Sequence, residues 1–312
     1  MRNKIVQTVL PYCILLLLVI IAIFAPVEKN STGWIPLTGG LVDGCQWVSG
    51  ILSVVLMVTG VGVILSGLYL VLLKTNTIPF GRCAALLLML LFSNPHALHF
   101  NTIYLVLACI VWAKYCILER QIFVCYMLLS LASLFYAPAI WLVPAFLLMG
   151  AFSGMPERLR SFVKSLSGAS LPHIYILVFR WIRFDDADVY LYHFAHEATA
   201  LCTPFHQLGM PDYFFILCML YMLYRAISFI MAKNPMGMLA FMLKTDAVSL
   251  FLFFILFLFF SKSCMPVLSL LYFPAAVILA YYFKNCGKTS RTNVEMLLLM
   301  SALLLGSLSH IV

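Results

Sequence analysis

The 312-residue chain is 64% hydrophobic and 10% charged, with a formal net charge of +8 and a mean hydropathy of +1.06. Soluble domains carry roughly 25% charged residues, so this much apolar surface has no water-soluble arrangement and a globular aqueous domain is excluded. The positive balance does not point to nucleic acid either, because no basic stretch is long enough to neutralise several phosphates.

The apolar residues fall into eleven blocks divided by short loops, and a bilayer core takes about 20 apolar residues per helical span. The blocks predict spans over 5–25, 48–73, 78–94, 101–118, 121–135, 137–152, 169–184, 213–232, 246–261, 265–283 and 294–311. The expected fold is an all-α polytopic transmembrane helix bundle of about eleven helices, forming a single integral membrane domain over 1–312. The first block follows Met1-Arg2-Asn3-Lys4 with no small-x-small cleavage site behind it, so it reads as an uncleaved span. Gly62-x-x-x-Ser66 in the second block reads as a small-xxx-small helix contact. The ten cysteines lie scattered, without a C-x-x-C pair, and read as small apolar filler.

The stretch 121–152 sets the topology, as one long helix or as a hairpin broken near Tyr136-Ala137-Pro138. With the hairpin, fifteen of the nineteen Lys and Arg fall on one side, leaving only Lys29, Arg180, Arg183 and Lys262 on the other. With one helix every later loop flips and the asymmetry vanishes, so the positive-inside rule selects the hairpin. The expected location is the bacterial inner membrane with a cytoplasmic N-terminus. Its external loops are 26–47 and 184–212, and 153–168 is a basic cytoplasmic loop. Thirty-two residues are few for two full spans, so both arms are expected to be short and packed inside the bundle. Ser133-Leu134-Phe135-Tyr136-Ala137-Pro138-Ala139 is echoed by Ser269-Leu270-Leu271-Tyr272-Phe273-Pro274-Ala275.

On this topology most acids and histidines face outward, which puts the candidate chemistry there. Glu28 and Asp43 flank a Gly/Pro-rich stretch of the first external loop, where a carboxylate suits a general base acting on a lipid-linked substrate. Asp185 and Asp186 are a carboxylate pair of the kind that holds a cation on a pyrophosphate, with a solvated loop as the plainer reading. They directly follow Arg180 and Arg183, which suit bidentate contact with a lipid phosphate or simple snorkelling. In Tyr192-His193-Phe194-Ala195-His196-Glu197, His193 and His196 share a helical face. The spacing is neither H-E-x-x-H nor H-x-x-E-H, so an interfacial amphipathic helix is expected there rather than a metal site. His173 reads as the intramembrane ionisable side chain, and Pro156 to Lys164 as a basic stretch resting on anionic headgroups.

Asn101-Thr102 opening a helix, Ala132 to Ala139, and the apolar run ending at the basic loop around Arg158 carry a resemblance. The stretch from Asn101 to Arg160 resembles a family of polytopic inner-membrane proteins of Bacteroidota, a domain-of-unknown-function group. That likeness implies a location and no chemistry. More distantly, the chain is similar to membrane glycosyltransferases that use polyprenyl-phosphate sugars, which implies a catalytic acid in the first external loop. Glu28 and Asp43 occupy that loop but stand 15 residues apart, with no paired D-x-D.

The leading expectation is therefore a role in envelope lipid or glycan assembly, in the manner of a polyprenyl-phosphate-dependent transferase. Its partners would be membrane lipids and a polyprenyl-linked or lipid substrate, with no cofactor specified. The rivals are a small-molecule or lipid transporter or flippase, and a non-enzymatic membrane scaffold.

Overall fold

The computed structural model describes residues 13, 51–75, 78–92, 102–152, 158–199, 210–259, 264–286 and 290–309, and within them the architecture is helical without strands. Eleven α-helices follow in order: α1 Ile51–Thr75, α2 Phe80–Phe92, α3 Thr102–Leu118, α4 Ile122–Phe135, α5 Leu142–Phe152 and α6 Arg158–Phe184. They continue as α7 Ala187–Thr199, α8 Met210–Lys233, α9 Gly237–Phe259, α10 Cys264–Asn285 and α11 Ser290–Ser309. A 3-10 turn, Ala137–Trp141, joins α4 to α5. The fold is an all-α transmembrane bundle, as expected. The expected first span and the loop behind it lie outside the described residues.

Among the described residues four stretches are long and apolar enough to cross a membrane: Val55–Thr75, Arg160–Phe184, Tyr213–Lys233 and Gly237–Ile255. Their outer faces carry large apolar side chains in the open, such as Tyr175, Trp181 and Ile182 on α6 and Leu217 and Tyr224 on α8. Water would oppose such a surface and lipid would not. α10 is the opposite case. From Ala275 to Tyr282 every residue is buried, so it runs as a central post, apolar on all sides, packed by α2, α3, α8 and α9.

Helix directions follow from pairs of contacts. Gly60 of α1 faces Tyr104 of α3, Gly67 faces Val111 and Trp112, and Lys74 pairs with Glu119; α1 and α3 therefore run parallel. On α4 and α6, Ser130 Oγ donates to the Ala169 carbonyl at 2.5 Å and Ser133 meets His173 at 3.0 Å, so these helices are parallel too. α5 must then return between them. The hairpin inferred from charge is real, and Pro138 sits in the first turn of its 3-10 corner, where its missing N–H costs nothing. At 14 and 11 residues, α4 and α5 measure about 21 Å and 17 Å, short of the roughly 30 Å hydrocarbon layer.

Several boundaries depart from expectation. Residues 158–168 are not loop: α6 is one helix from Arg158, and its serine hydroxyls turn back on their own backbone, as Ser165 does to the Ser161 carbonyl at 2.8 Å. α9 begins at Gly237, nine residues before the predicted start of its span. The echoed heptapeptides adopt different structures, since the first breaks α4 while Pro274 of the second lies inside the continuous α10. Gly62 and Ser66 are exposed, and a Cβ added at Gly62 would meet nothing within 4 Å; the close approach falls to Gly67, where an added Cβ would stand 2.8 Å from Val111. The expected amphipathic helix is present as α7, burying Tyr190 and Ala198 and leaving Val189 and Tyr192 outside.

Candidate functional site

Two groups of polar side chains are built into the bundle, and a third joins α6 to α7. The first is the ion pair of Lys114 on α3 with Asp246 on α9, whose side chains are 3% and 1% exposed. Lys114 Nζ donates to Asp246 Oδ1 and stands 5.2 Å from the centre of the Phe273 ring on α10, a cation–π distance. Cys83 of α2 is close enough to feel both charges. Asp246 Oδ2 is buried and has no hydrogen-bond partner among the described residues.

Asp246 was expected at the very start of the span 246–261, at its cytoplasmic end. It lies nine residues inside α9, about 14 Å along the axis, on a buried facet shared with Thr245 and Ser249. Lys244 beside it is exposed. The polar run Lys244-Thr245-Asp246 hid the helix from an apolar window. Read at helical spacing, the same run puts Asp246 and Ser249 on one face.

The second group links α8, α10 and α11. Glu295 accepts a hydrogen bond from Tyr282 Oη at 2.6 Å and lies 3.5 Å from Arg225 Nε. Glu295 was likewise expected at the cytoplasmic end of its span, 294–311, and it is 4% exposed. Beside His173, then, the bundle buries three further ionisable side chains among the described residues, Lys114, Asp246 and Glu295.

The third group contains residues the sequence singled out. Asp185 ends α6 in the left-handed region, φ 53°, which Asp tolerates better than most residues. The Asp186 carbonyl opens α7 by accepting from the Tyr190 N–H at 3.1 Å. Arg180 Nε donates to Asp186 Oδ1 at 3.0 Å and its Nη2 to Oδ2, a bidentate clamp that also lays the guanidinium 5.9 Å from the Tyr190 ring centre. The hydrogen bonds from Arg180 hold the Asp186 carboxyl below its ordinary range. Burial pushes the Tyr190 phenol up to about 12, so its O–H stays a donor.

That O–H lies 3.0 Å from His173 Nδ1, while His173 Nε2 lies 3.0 Å from Ser133 Oγ. Ser133 Oγ in turn donates to the Ser130 carbonyl at 2.6 Å. All donors are satisfied in one direction if His173 is neutral with its proton on Nε2, a tautomer inferred from the network. Ser, His and Tyr stand in the order of a nucleophile, base and orienting group, but Ser133 is completely buried and its proton is committed. The arrangement is a clamp tying α4, α6 and α7 together.

Of the predicted site residues, then, the fold brings Arg180 and Asp186 together. Arg183, Asp185, His193 and His196 remain exposed, with both histidine rings against Tyr192. Glu28 and Asp43 lie outside the described residues. The described His, Cys, Asp and Glu form no group of three placed to hold a metal ion. No family model, curated protein or solved structure matches the chain.

Proposed function

We propose that this protein is a carrier that moves a small solute or lipid across the bacterial inner membrane, N-terminus in the cytoplasm, in the service of envelope lipid or glycan assembly. The observation that supports it is the Lys114–Asp246 pair, buried between helices. Ionisable groups inside a membrane bundle are costly, and they recur along substrate and ion pathways for that reason. The break between α4 and α5 is the kind of helix discontinuity that carriers place near such groups. The resemblance to inner-membrane proteins of Bacteroidota agrees with the location and is part of the proposal.

The transferase reading retains one supporting observation. Arg183, Asp185, His193 and His196 are exposed around the α6–α7 junction, where an amphiphilic phosphate ester would meet both cations and carboxylates. Asp186 counts against that reading, because Arg180 already occupies both of its oxygens.

Mass spectrometry of envelope lipids, polyprenyl-linked sugars and solutes separates the two in cells lacking the gene and in cells carrying variants that reach the membrane. The carrier reading expects a compound to build up on one side of the membrane in the deletion and in Lys114→Gln/Asp246→Asn. It fails if that double variant restores the wild-type profile. A missing glycan or lipid reproduced by Glu28→Ala, Asp43→Ala or Asp185→Ala alone would establish the transferase instead.

A further inference from the structure

We infer that Asp246 is a proton-exchange site: Oδ2 takes up and releases one proton beside the Oδ1 that pairs with Lys114. Its use as the coupling step rests on the carrier reading, whereas the site itself stands on the geometry around the carboxyl group.

The two oxygens of Asp246 are not equivalent. Oδ1 is held by Lys114 Nζ, and Oδ2 is buried without a hydrogen-bond partner among the described residues. A second donor from the protein would have fixed the carboxylate as a permanent anion, since hydrogen bonds to the charged form favour it. Instead one lone-pair region is left for a proton. Uptake forms an O–H bond at Oδ2 with a proton from water and raises the charge of the pair from zero to +1; release reverses both changes and moves no electrons.

The groups facing this carboxyl are few. α3 brings Lys114, and α2 brings the Cys83 thiol. α10 brings the Phe273 ring beside the ammonium. α5, Leu142–Phe152, has no titratable side chain. α1 carries Tyr69 and Lys74, and Lys74 is taken up by Glu119. On α9 itself Thr245 turns its hydroxyl back to the Phe241 carbonyl at 2.7 Å. Among the described residues no second carboxylate shares the site, so protonation leaves Lys114 as a cation with an aromatic face beside it. An uncompensated charge in an apolar bundle is strongly unfavourable. Proton uptake therefore favours any arrangement that separates α3 from α9 and lets water reach Lys114, which is the bias a proton-coupled carrier needs.

Infrared difference spectroscopy of the full chain in lipid nanodiscs, titrated upward from the ordinary carboxylate pKa of about 3.9 into the alkaline range, tests this directly. The expected result is a protonated-carboxyl C=O band that fades as pH rises, is missing from Asp246→Asn, and is unaltered in Cys83→Ala. Asp246→Asn leaves Lys114 unpaired, so the double variant Lys114→Gln/Asp246→Asn, which buries no charge, serves as the folded control and must also lack the band. An identical titration in wild type and double variant overturns the proposal. So does an Asp246 that stays ionised throughout while the double variant loses the solute phenotype, and in that case the carrier reading survives. A titrating Asp246 with an unchanged solute profile supports the proton site and removes the carrier reading.

Discussion

Lys114 and Asp246 stand 132 positions apart in the chain and meet as an ion pair with side chains 3% and 1% exposed. Removing one partner leaves the other charged, buried and unpaired. Asp246→Ala is expected to cost about 3–5 kcal/mol, whereas Lys114→Met/Asp246→Leu, with apolar side chains of similar volume, is expected to recover most of that loss. Thermal unfolding in detergent, read by the monodisperse fraction after heating, decides the point. Equal losses in the single and double variants would show that the pair does not carry this energy.

Tyr190, His173 and Ser133 act as one unit in stability. His173→Phe keeps a ring against Phe194, now 4.6 Å away, but removes the imidazole from Tyr190 Oη and Ser133 Oγ, leaving Ser133 only the Ser130 carbonyl. The expected cost is about 1–3 kcal/mol. A double-mutant cycle with Tyr190→Phe should give a coupling of about 0.5–3 kcal/mol. Strict additivity would dissolve the clamp.

Acid should loosen the α6–α7 junction late. Hydrogen bonds from Arg180 hold the Asp186 carboxyl below its ordinary value, so the unfolded chain binds its proton first as pH falls. The stabilisation is complete above the usual carboxylate pKa of about 3.9 and is lost as pH drops through the lower folded value. Asp186→Asn should therefore melt earlier than wild type at neutral pH, and the two curves should converge in acid. A gap independent of pH would rule out ionic linkage as its source.

Gly168 sets how closely α4 and α6 approach. A Cβ there would run into the Phe123 carbonyl, which is backbone and has nowhere to swing. Gly168→Ala should cost about 1–3 kcal/mol by forcing the helices apart, and Gly62→Ala, with nothing within 4 Å, should change little. Membrane-inserted yield and melting temperature of the two variants provide the comparison. The reverse ranking would put the tight seam elsewhere.

The sequence by itself determined that this chain lies in a membrane, that it is all helix, and that 121–152 is a hairpin. Hydropathy and charge placement are properties of single residues against a layered solvent, so they are legible without a partner. The α6–α7 junction was half legible: Arg180 and Asp186 stood out as charges, but their mutual clamp depends on the left-handed turn at Asp185. The pairing of Lys114 with Asp246, and of Glu295 with Tyr282 and Arg225, was decided by tertiary structure alone. A charged residue near the end of an apolar block is assigned to the aqueous side, because its cost in lipid is counted without the partner that offsets it. Only the packing of α2, α3 and α9 around α10 brings Lys114 and Asp246 within reach of each other, and so turns residues expected at the ends of their spans into buried charges of the bundle.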